Sequence, residues 1–226
     1  MYDADAAVVV SQAGTPESLS ASLSAACRDH AALGVRKRTL DICIACLLLL
    51  IALPLLLMTA ILIRLDSPGP ALFRQRRGGL GGAPFVIYKF RTMTVTEDAD
   101  IVTQAQRGDR RCTEIGRFLR KTSIDELPQL INVLVGDMSL VGPRPHALAH
   151  DALFQTQVPQ YRRRFNVKPG ITGLAQIRGF RGESGTLDAI TGRVASDVEY
   201  VDRWSFWGDI RLLIATLKVP LDSRAY

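Results

Sequence analysis

Aromatic residues are scarce in this chain: Phe, Trp and Tyr make up 7% of its 226 residues, yet its mean hydropathy is +0.12. The apolar character therefore rests on aliphatic side chains, and 47% hydrophobic residues exclude an acidic or low-complexity disordered chain. The shortage of stacking rings, together with the absence of a base-reading motif, argues against a nucleic-acid partner despite a pI near 9.4. Four cysteines, Cys27, Cys43, Cys46 and Cys112, make no disulfide framework in a chain of this length, and they are expected to be reduced. Cys43 and Cys46 have the spacing of a zinc or redox pair, but with no second pair and an apolar setting they read as small core or lipid-facing residues. His146 and His150 have i, i+4 spacing but no third ligand and no HExxH pattern. No Ser-His-Asp grouping is assignable. The glycine-rich stretch Gly78-Gly79-Leu80-Gly81-Gly82 lacks the spacing and the Lys-Ser/Thr ending of a phosphate-binding loop, and reads as a turn.

What the chain does have is a long aliphatic run. No formal charge appears between Asp41 and Arg64, and Ile42 to Ile63 reads ICIACLLLLIALPLLLMTAILI. At ~1.5 Å per helical residue this run reaches roughly 33 Å, close to the ~30 Å of bilayer hydrocarbon. It is too long, and too far from the start, for a signal-peptide core. Arg36, Lys37 and Arg38 precede it, and Arg64, Arg74, Arg76 and Arg77 follow it. Each basic flank favours the cytoplasmic side, and a simple span satisfies only one of them. Pro54, near the middle, removes a helical hydrogen bond. Two readings remain: a helix that breaks near Leu53-Pro54 and returns to the same face, or an ordinary kinked span.

Around this run the chain reads as a mobile leader (residues 1–34), a membrane helix (35–65) and a membrane-associated domain after it (66–226). The turn cluster Asp66-Ser67-Pro68-Gly69-Pro70 leads into two extended stretches, Ala71 to Arg76 and Phe85 to Phe90, which fit a hairpin. Leu127, Leu130, Ile131 and Leu134 form a helical stripe, and Trp207, Ile210, Ile214 and Leu217 form another. The second suits either a bilayer interface or a packed core. The fold class expected is mostly α with a small β-hairpin.

Chemistry concentrates in Arg120-Lys121-Thr122-Ser123-Ile124-Asp125-Glu126-Leu127-Pro128, with adjacent carboxylates at the start of a predicted helix. A helix N-terminus stabilises anions and attracts phosphate. An ionised Asp125 there can attack phosphorus while Glu126 holds a divalent cation. Ser123 and Glu126 also have the spacing of a capping box, and the two roles can coexist. Of 28 basic residues 23 are Arg, whose planar fork matches phosphate. Lys89 and Arg91, at the end of a strand, are expected on one face. Arg144 is displayed between Pro143 and Pro145, and Arg162-Arg163-Arg164 reads as a solvated or headgroup-contacting run.

Five segments together resemble the bacterial sugar transferases that are monotopic phosphoglycosyl transferases: KRTLDI, SPGPALFRQRR, YKFRTM, LRKTSIDELPQLINVLVGDMSLVGPRP and KPGITGLAQIRGFRGE. They occur in family order from about Arg36 to Leu217. The resemblance implies transfer of a sugar 1-phosphate from a UDP-sugar to undecaprenyl phosphate, with release of UMP, as the first step of exopolysaccharide repeat-unit assembly. It implies Asp125 as nucleophile of a covalent phosphosugar intermediate, Glu126 as Mg²⁺ ligand, and Lys89, Arg91, Arg120 and Arg144 as phosphate contacts. It also implies a proline-broken re-entrant helix, interfacial amphipathic helices, and residence on the cytosolic face of the bacterial inner membrane. Downstream glycosyltransferases and a homodimer are the implied protein partners. Leu53 stands where relatives often have Ser before the proline, and Gly81-Gly82 replaces an Asn-Gly turn. The chain resembles the short, catalytic-unit form, and GFRGE with Asp197, Tyr200 and Trp204-Ser205 resembles members that use UDP-glucose.

Two alternatives stand beside this. One is the same reaction with galactose or an N-acetylated sugar. The other is a non-catalytic, membrane-anchored scaffold whose basic face binds lipid or a partner, which would leave the Asp125-Glu126 pair without a purpose.

Overall fold

An uncharged aliphatic run with one internal proline favours a long helix, and α1 extends from Pro16 to Asp66 with Pro54 inside it. The computed structural model describes residues 16–94, 109–180 and 186–217, with side chains from residue 34 onward. The chain forms two compact units, Met1–Thr39 and Leu40–Tyr226, a division that falls inside α1 rather than at its start. The stretch Gly34–Asp66 is long and apolar enough to cross a membrane. The residues flanking Pro54 remain helical, so no interruption separates the two halves.

The sides of α1 are not equivalent along its length. Leu47, Leu48, Leu50, Ile51, Leu53, Leu57, Met58, Ile61 and Leu62 are exposed. Near one end of the run Ala45 is buried in the main core with Ile87, Leu130, Val133, Met138 and Leu140. Near the other, Ile63 packs in a cluster with Phe90 and Leu119. The Asp41 carboxylate accepts the Leu140 N–H at 3.0 Å, and the Ile63 carbonyl accepts from Arg91 at 3.5 Å. Both ends of the apolar segment thus rest on the same globular unit, while one face of its middle is left uncovered by the described residues.

The expected hairpin is present. β1 (Leu72–Gly78) and β2 (Pro84–Phe90) pair antiparallel with Leu72 opposite Phe90 and Gly78 opposite Pro84. Their connection, Leu80–Gly82, places Gly81 at φ 67° and Gly82 at φ 79°, conformations that glycine adopts without a Cβ penalty. A second sheet is present that the sequence pattern does not announce. β3 (Ser139–Val141) and β4 (Gly170–Thr172) pair in parallel, and the ladder continues as Gly142 N–H to the Thr172 carbonyl and Gly170 N–H to the Pro143 carbonyl. The backbones approach so closely that a Cβ at Gly142, Gly170 or Gly173 would run into the facing chain. Three-residue strands carry no readable alternation.

The remaining elements are short helices: α2 (Glu114–Thr122), α3 (Gln129–Val135), α4 (Leu148–Gln157), α5 (Leu174–Ile177), α6 (Leu187–Asp202) and α7 (Phe206–Thr216). On α3 the buried residues are Gln129, Leu130, Asn132 and Val133, whereas Ile131 of the expected stripe faces outward. Asn132 explains the rotation. Its amide donates to the Val86 carbonyl at 2.7 Å and accepts the Tyr88 N–H at 3.0 Å, pairing the outer edge of β2 as a further strand would. On α7, Trp207 is 71% exposed, with Ile214 and Leu217 also exposed, so this stripe is not core. The opposite face is fixed by Asp209, which accepts from the Tyr200 hydroxyl at 2.9 Å and the Trp204 indole at 3.0 Å.

Candidate active site

Asp125 and Glu126 lie in a single 3₁₀ turn, Ile124–Glu126, between α2 and α3. α2 is started by Thr113, whose hydroxyl accepts the Gly116 N–H at 2.9 Å, and ends at Ser123 in the left-handed conformation, φ 60°. The capping-box expectation is not met here. Ser123 makes no side-chain cap, and Glu126 does not reach back to it, because both of its oxygens are taken by cations. A three-residue turn also has no appreciable helix dipole, so the positive field at the carboxylates comes from side chains.

Those side chains arrive from separate elements. Lys89, from β2, donates to Glu126 Oε1 at 3.0 Å. Arg144, from the loop after β3, grips Glu126 with both terminal nitrogens, Nη1 to Oε2 at 2.9 Å and Nη2 to Oε1. Arg120, in the last turn of α2, is oriented by a bond from its Nε to the Thr92 hydroxyl at 2.9 Å, and its charge acts on Asp125. Lys89, Arg120 and Arg144, named from sequence, therefore surround the carboxylate pair.

Arg91 does not join them. Its guanidinium donates to the carbonyls of Pro68 and Ser67, the latter at 2.7 Å, and to that of Ile63. The alternation that would have placed it beside Lys89 ends with the strand at Phe90. Arg91 instead seals the C-terminal carbonyls of α1 and the turn after it. Arg164 departs in the opposite direction: it is 4% exposed and ion-paired with Asp197, while Arg163 meets Asp202 at the surface. A basic run in sequence thus contains one interior residue, which composition cannot distinguish.

The two carboxylates have different electrostatics. Burial would raise the Glu126 carboxyl, but Arg144 and Lys89 outweigh it and hold it well below the usual range. Asp125, 8% exposed, is pushed up to about 6 by burial first and by its anionic neighbour Glu126 second, with Lys89, Arg120 and Arg144 opposing. Its oxygens make no hydrogen bond among the described residues. One carboxylate is locked between cations, and the other is ionised at neutral pH and unattached beside them. A carboxylate in that state is available as a nucleophile toward an electrophile that Lys89, Arg120 and Arg144 can bind, which means an anionic one.

Among the described residues no three His, Cys, Asp or Glu side chains gather as a metal site. Mg²⁺ needs no such cluster, since it binds through one or two carboxylates together with water and substrate phosphate. Glu126 engages one lone pair on Oε2 and two on Oε1 and retains further acceptor capacity, so its oxygen chemistry fits that ion. His146 is enclosed in the interior. Burial and the nearby charges of Arg164, Arg193, Arg77 and Arg144 hold it well below its usual value, and it stays neutral. His150 stacks on Phe154 with centroids 5.8 Å apart.

The residues that suggested a glucose donor are scaffold where they can be seen. Asp197 pairs with Arg164, the Tyr200 hydroxyl that bonds Asp209 also lies 3.0 Å from the Val141 carbonyl, and Ser205 caps α7 through Gly208 at 3.0 Å. Residues 181–183 of GFRGE lie outside the described residues.

Comparison with known proteins supplies an independent reading. Residues 32–223 match the family described as "Bacterial sugar transferase". The chain is 56% identical over 186 residues to a Caulobacter vibrioides protein named UDP-glucose:undecaprenyl-phosphate glucose-1-phosphate transferase, covering 82% of this chain and 70% of that one. It is 51% identical to an Escherichia coli protein of the same name, covering 80% of this chain but only 39% of that longer one. It is 46% identical to the exopolysaccharide production protein PSS of Rhizobium leguminosarum, covering 81% of this chain and 94% of that one. With the carboxylate pair, its cationic frame and the match over nearly the whole chain in agreement, the chain belongs to the bacterial sugar transferase family.

Proposed function

We propose that the protein transfers glucose 1-phosphate from UDP-glucose to undecaprenyl phosphate and releases UMP, as the first step of exopolysaccharide repeat-unit assembly. The observation that carries this is the division of labour between adjacent carboxylates, Glu126 held by Lys89 and Arg144 and Asp125 left unattached among three basic groups. In the first step an Asp125 oxygen attacks the sugar-bearing phosphorus, and the bond from that phosphorus to the bridging oxygen breaks, so UMP leaves with the electron pair. In the second step an oxygen of undecaprenyl phosphate attacks the same phosphorus and the aspartyl oxygen departs, restoring the carboxylate. Lys89, Arg120 and Arg144 offset the charge that brings two anions together. Glu126 would hold Mg²⁺, which supplies neutralisation of the diphosphate when bound.

The acceptor is a lipid, so the site must sit at headgroup depth. Supporting this are the uncovered apolar middle of α1 and the exposed Trp207, Ile214 and Leu217 on α7. We read α1 as re-entrant, bent at Pro54 while it stays helical through that residue, and entering and leaving the cytosolic leaflet of the inner membrane. A straight crossing would carry one end of the apolar run about 30 Å away through the bilayer. Asp41 and Ala45 at one end, and Ile63 at the other, instead contact one globular unit. In a cysteine-free background, cysteines placed at Arg36 and Arg64 are expected to react with an impermeant maleimide from the same side of sealed vesicles. Labelling from opposite sides would replace this topology with a crossing helix.

The activity is tested by UMP release from purified protein given undecaprenyl phosphate, Mg²⁺ and UDP-glucose, UDP-galactose or UDP-N-acetylated sugars. Release with UDP-glucose is expected. Release with another sugar alone would reassign the donor, and none with any sugar would defeat the transferase reading.

A further inference from the structure

Arg144 stands between two prolines whose rings fix their own backbone angles, but prolines alone do not aim an arginine. Its position is set through two successive carbonyls, those of Arg144 and Pro145. Arg164 Nη2 donates to the Arg144 carbonyl at 2.7 Å, and Arg77 Nη1 donates to the Pro145 carbonyl at 2.9 Å. Gly142, just before, is stitched to β4. The Arg144 carbonyl and the next one along the chain, that of Pro145, are thus each held by a guanidinium group, and Arg164 is the one that holds the peptide of Arg144 itself.

Of these, Arg164 is the buried one. It lies in the 3₁₀ turn Tyr161–Asn166, its Nε donates to Asp197 Oδ2 of α6 at 2.8 Å, and Nη1 lies 3.1 Å from His146 Nδ1. Its charged plane stacks over the Tyr161 ring at 4.8 Å. Asp197 and Arg164 are both almost wholly buried, and removing such a pair from water costs much of what their attraction returns. An apolar pair of equal volume would fill the same space, but it would not direct a donor at the Arg144 carbonyl.

We propose that the buried Asp197–Arg164 pair is a positioning device for the transferase site, holding the Arg144 backbone so that its side chain clamps Glu126. Asp197 fixes the Arg164 plane, Arg164 fixes the Arg144 carbonyl, and Arg144 fixes the Glu126 carboxylate. Lysine cannot replace Arg164, because one ammonium presents its donors from a single point and cannot span Asp197, His146 and the Arg144 carbonyl together. The proposal rests on the transferase reading of the same site.

The test is a double-mutant cycle on the full chain in detergent or nanodiscs, with thermal unfolding followed in parallel. Arg164→Lys is expected to lower kcat for UMP release about tenfold, and to raise the Mg²⁺ concentration for half-maximal activity, in the wild-type background. In an Arg144→Lys background the same change is expected to cost less than about twofold, because the side chain it would misplace is already altered. Equal losses in both backgrounds, or no loss at all, would overturn the proposal, since a merely structural residue lowers stability without coupling to Arg144. Should Arg164→Lys not fold, Asp197→Asn enters the cycle in its place with the same two outcomes. Should Arg144→Lys leave too little turnover, Mn²⁺ affinity by spin-resonance titration gives the cycle instead. Turnover by the wild type with an additive cycle defeats this inference alone; a wild type that releases no UMP with any donor defeats the transferase reading and this inference with it.

Discussion

Asp125 combines burial with an anionic neighbour, and both oppose its ionisation. Its carboxyl is raised from 3.8 to about 6, so turnover is expected to fall on the acid side with an apparent pKa near 6, readable from kcat/KM against pH. The same shift has a stability consequence. A native carboxyl that holds its proton more tightly than the unfolded one penalises folding as pH rises from about 4 through 6, and the penalty is complete above that. Asp125→Asn is therefore expected to abolish UMP release, by about a thousandfold or more, while raising stability at pH 7.5 by on the order of 2–3 kcal/mol. Near pH 4 that gain should vanish. A variant that is inactive but less stable at pH 7.5 would show that the burial argument is wrong. At this scale the sequence was largely legible: Asp125, Glu126, Lys89, Arg120 and Arg144 converge as their types and motif suggested. Arg91 and Arg164 were not, because a strand end and a 3₁₀ turn decided which way each side chain went.

The short elements bear more of the fold than their length suggests. Asn132 of α3 pairs the free edge of β2, and replacing it by Leu, which has the same branched shape but is larger, would strand the Val86 carbonyl and the Tyr88 N–H and crowd a fully buried position. That substitution is expected to cost about 2–4 kcal/mol in chemical unfolding, against less than ~1 kcal/mol at the exposed Ile131. Gly69 is bound in the same way to the end of α1. It has φ +117°, and a Cβ there would stand 2.6 Å from Arg91 Nη1. Gly69→Ala is expected to destabilise by about 1–3 kcal/mol in the same measurement. On α7, changing Trp207 and Ile214 to Ser should leave stability nearly unchanged but weaken binding to anionic vesicles at least about tenfold. The helical stripes and the hairpin were visible in the spacing of residues. The polar face of α3 was not, since an asparagine that completes a sheet edge looks in sequence like a break in the apolar pattern, and β3 and β4 were too short to show a period.

At the scale of the molecule, the turn that carries the carboxylate pair is tied to the membrane helix: Ile124, next to Asp125, packs against the cluster that holds Ile63 of α1. A soluble nucleotide sugar and a membrane-held lipid phosphate can then use one carboxylate in turn rather than meeting each other, which is the purpose of a covalent intermediate. The most direct test is to mix the protein with UDP-glucose and Mg²⁺ in the absence of lipid acceptor, and to measure UMP and the mass of the protein together. The account expects a burst of UMP approaching one equivalent, with a hexose phosphate on the peptide carrying Asp125 that is lost when undecaprenyl phosphate is added. UMP release that requires the acceptor and leaves the protein unmodified would contradict it, and would mean that the lipid phosphate attacks the nucleotide sugar directly.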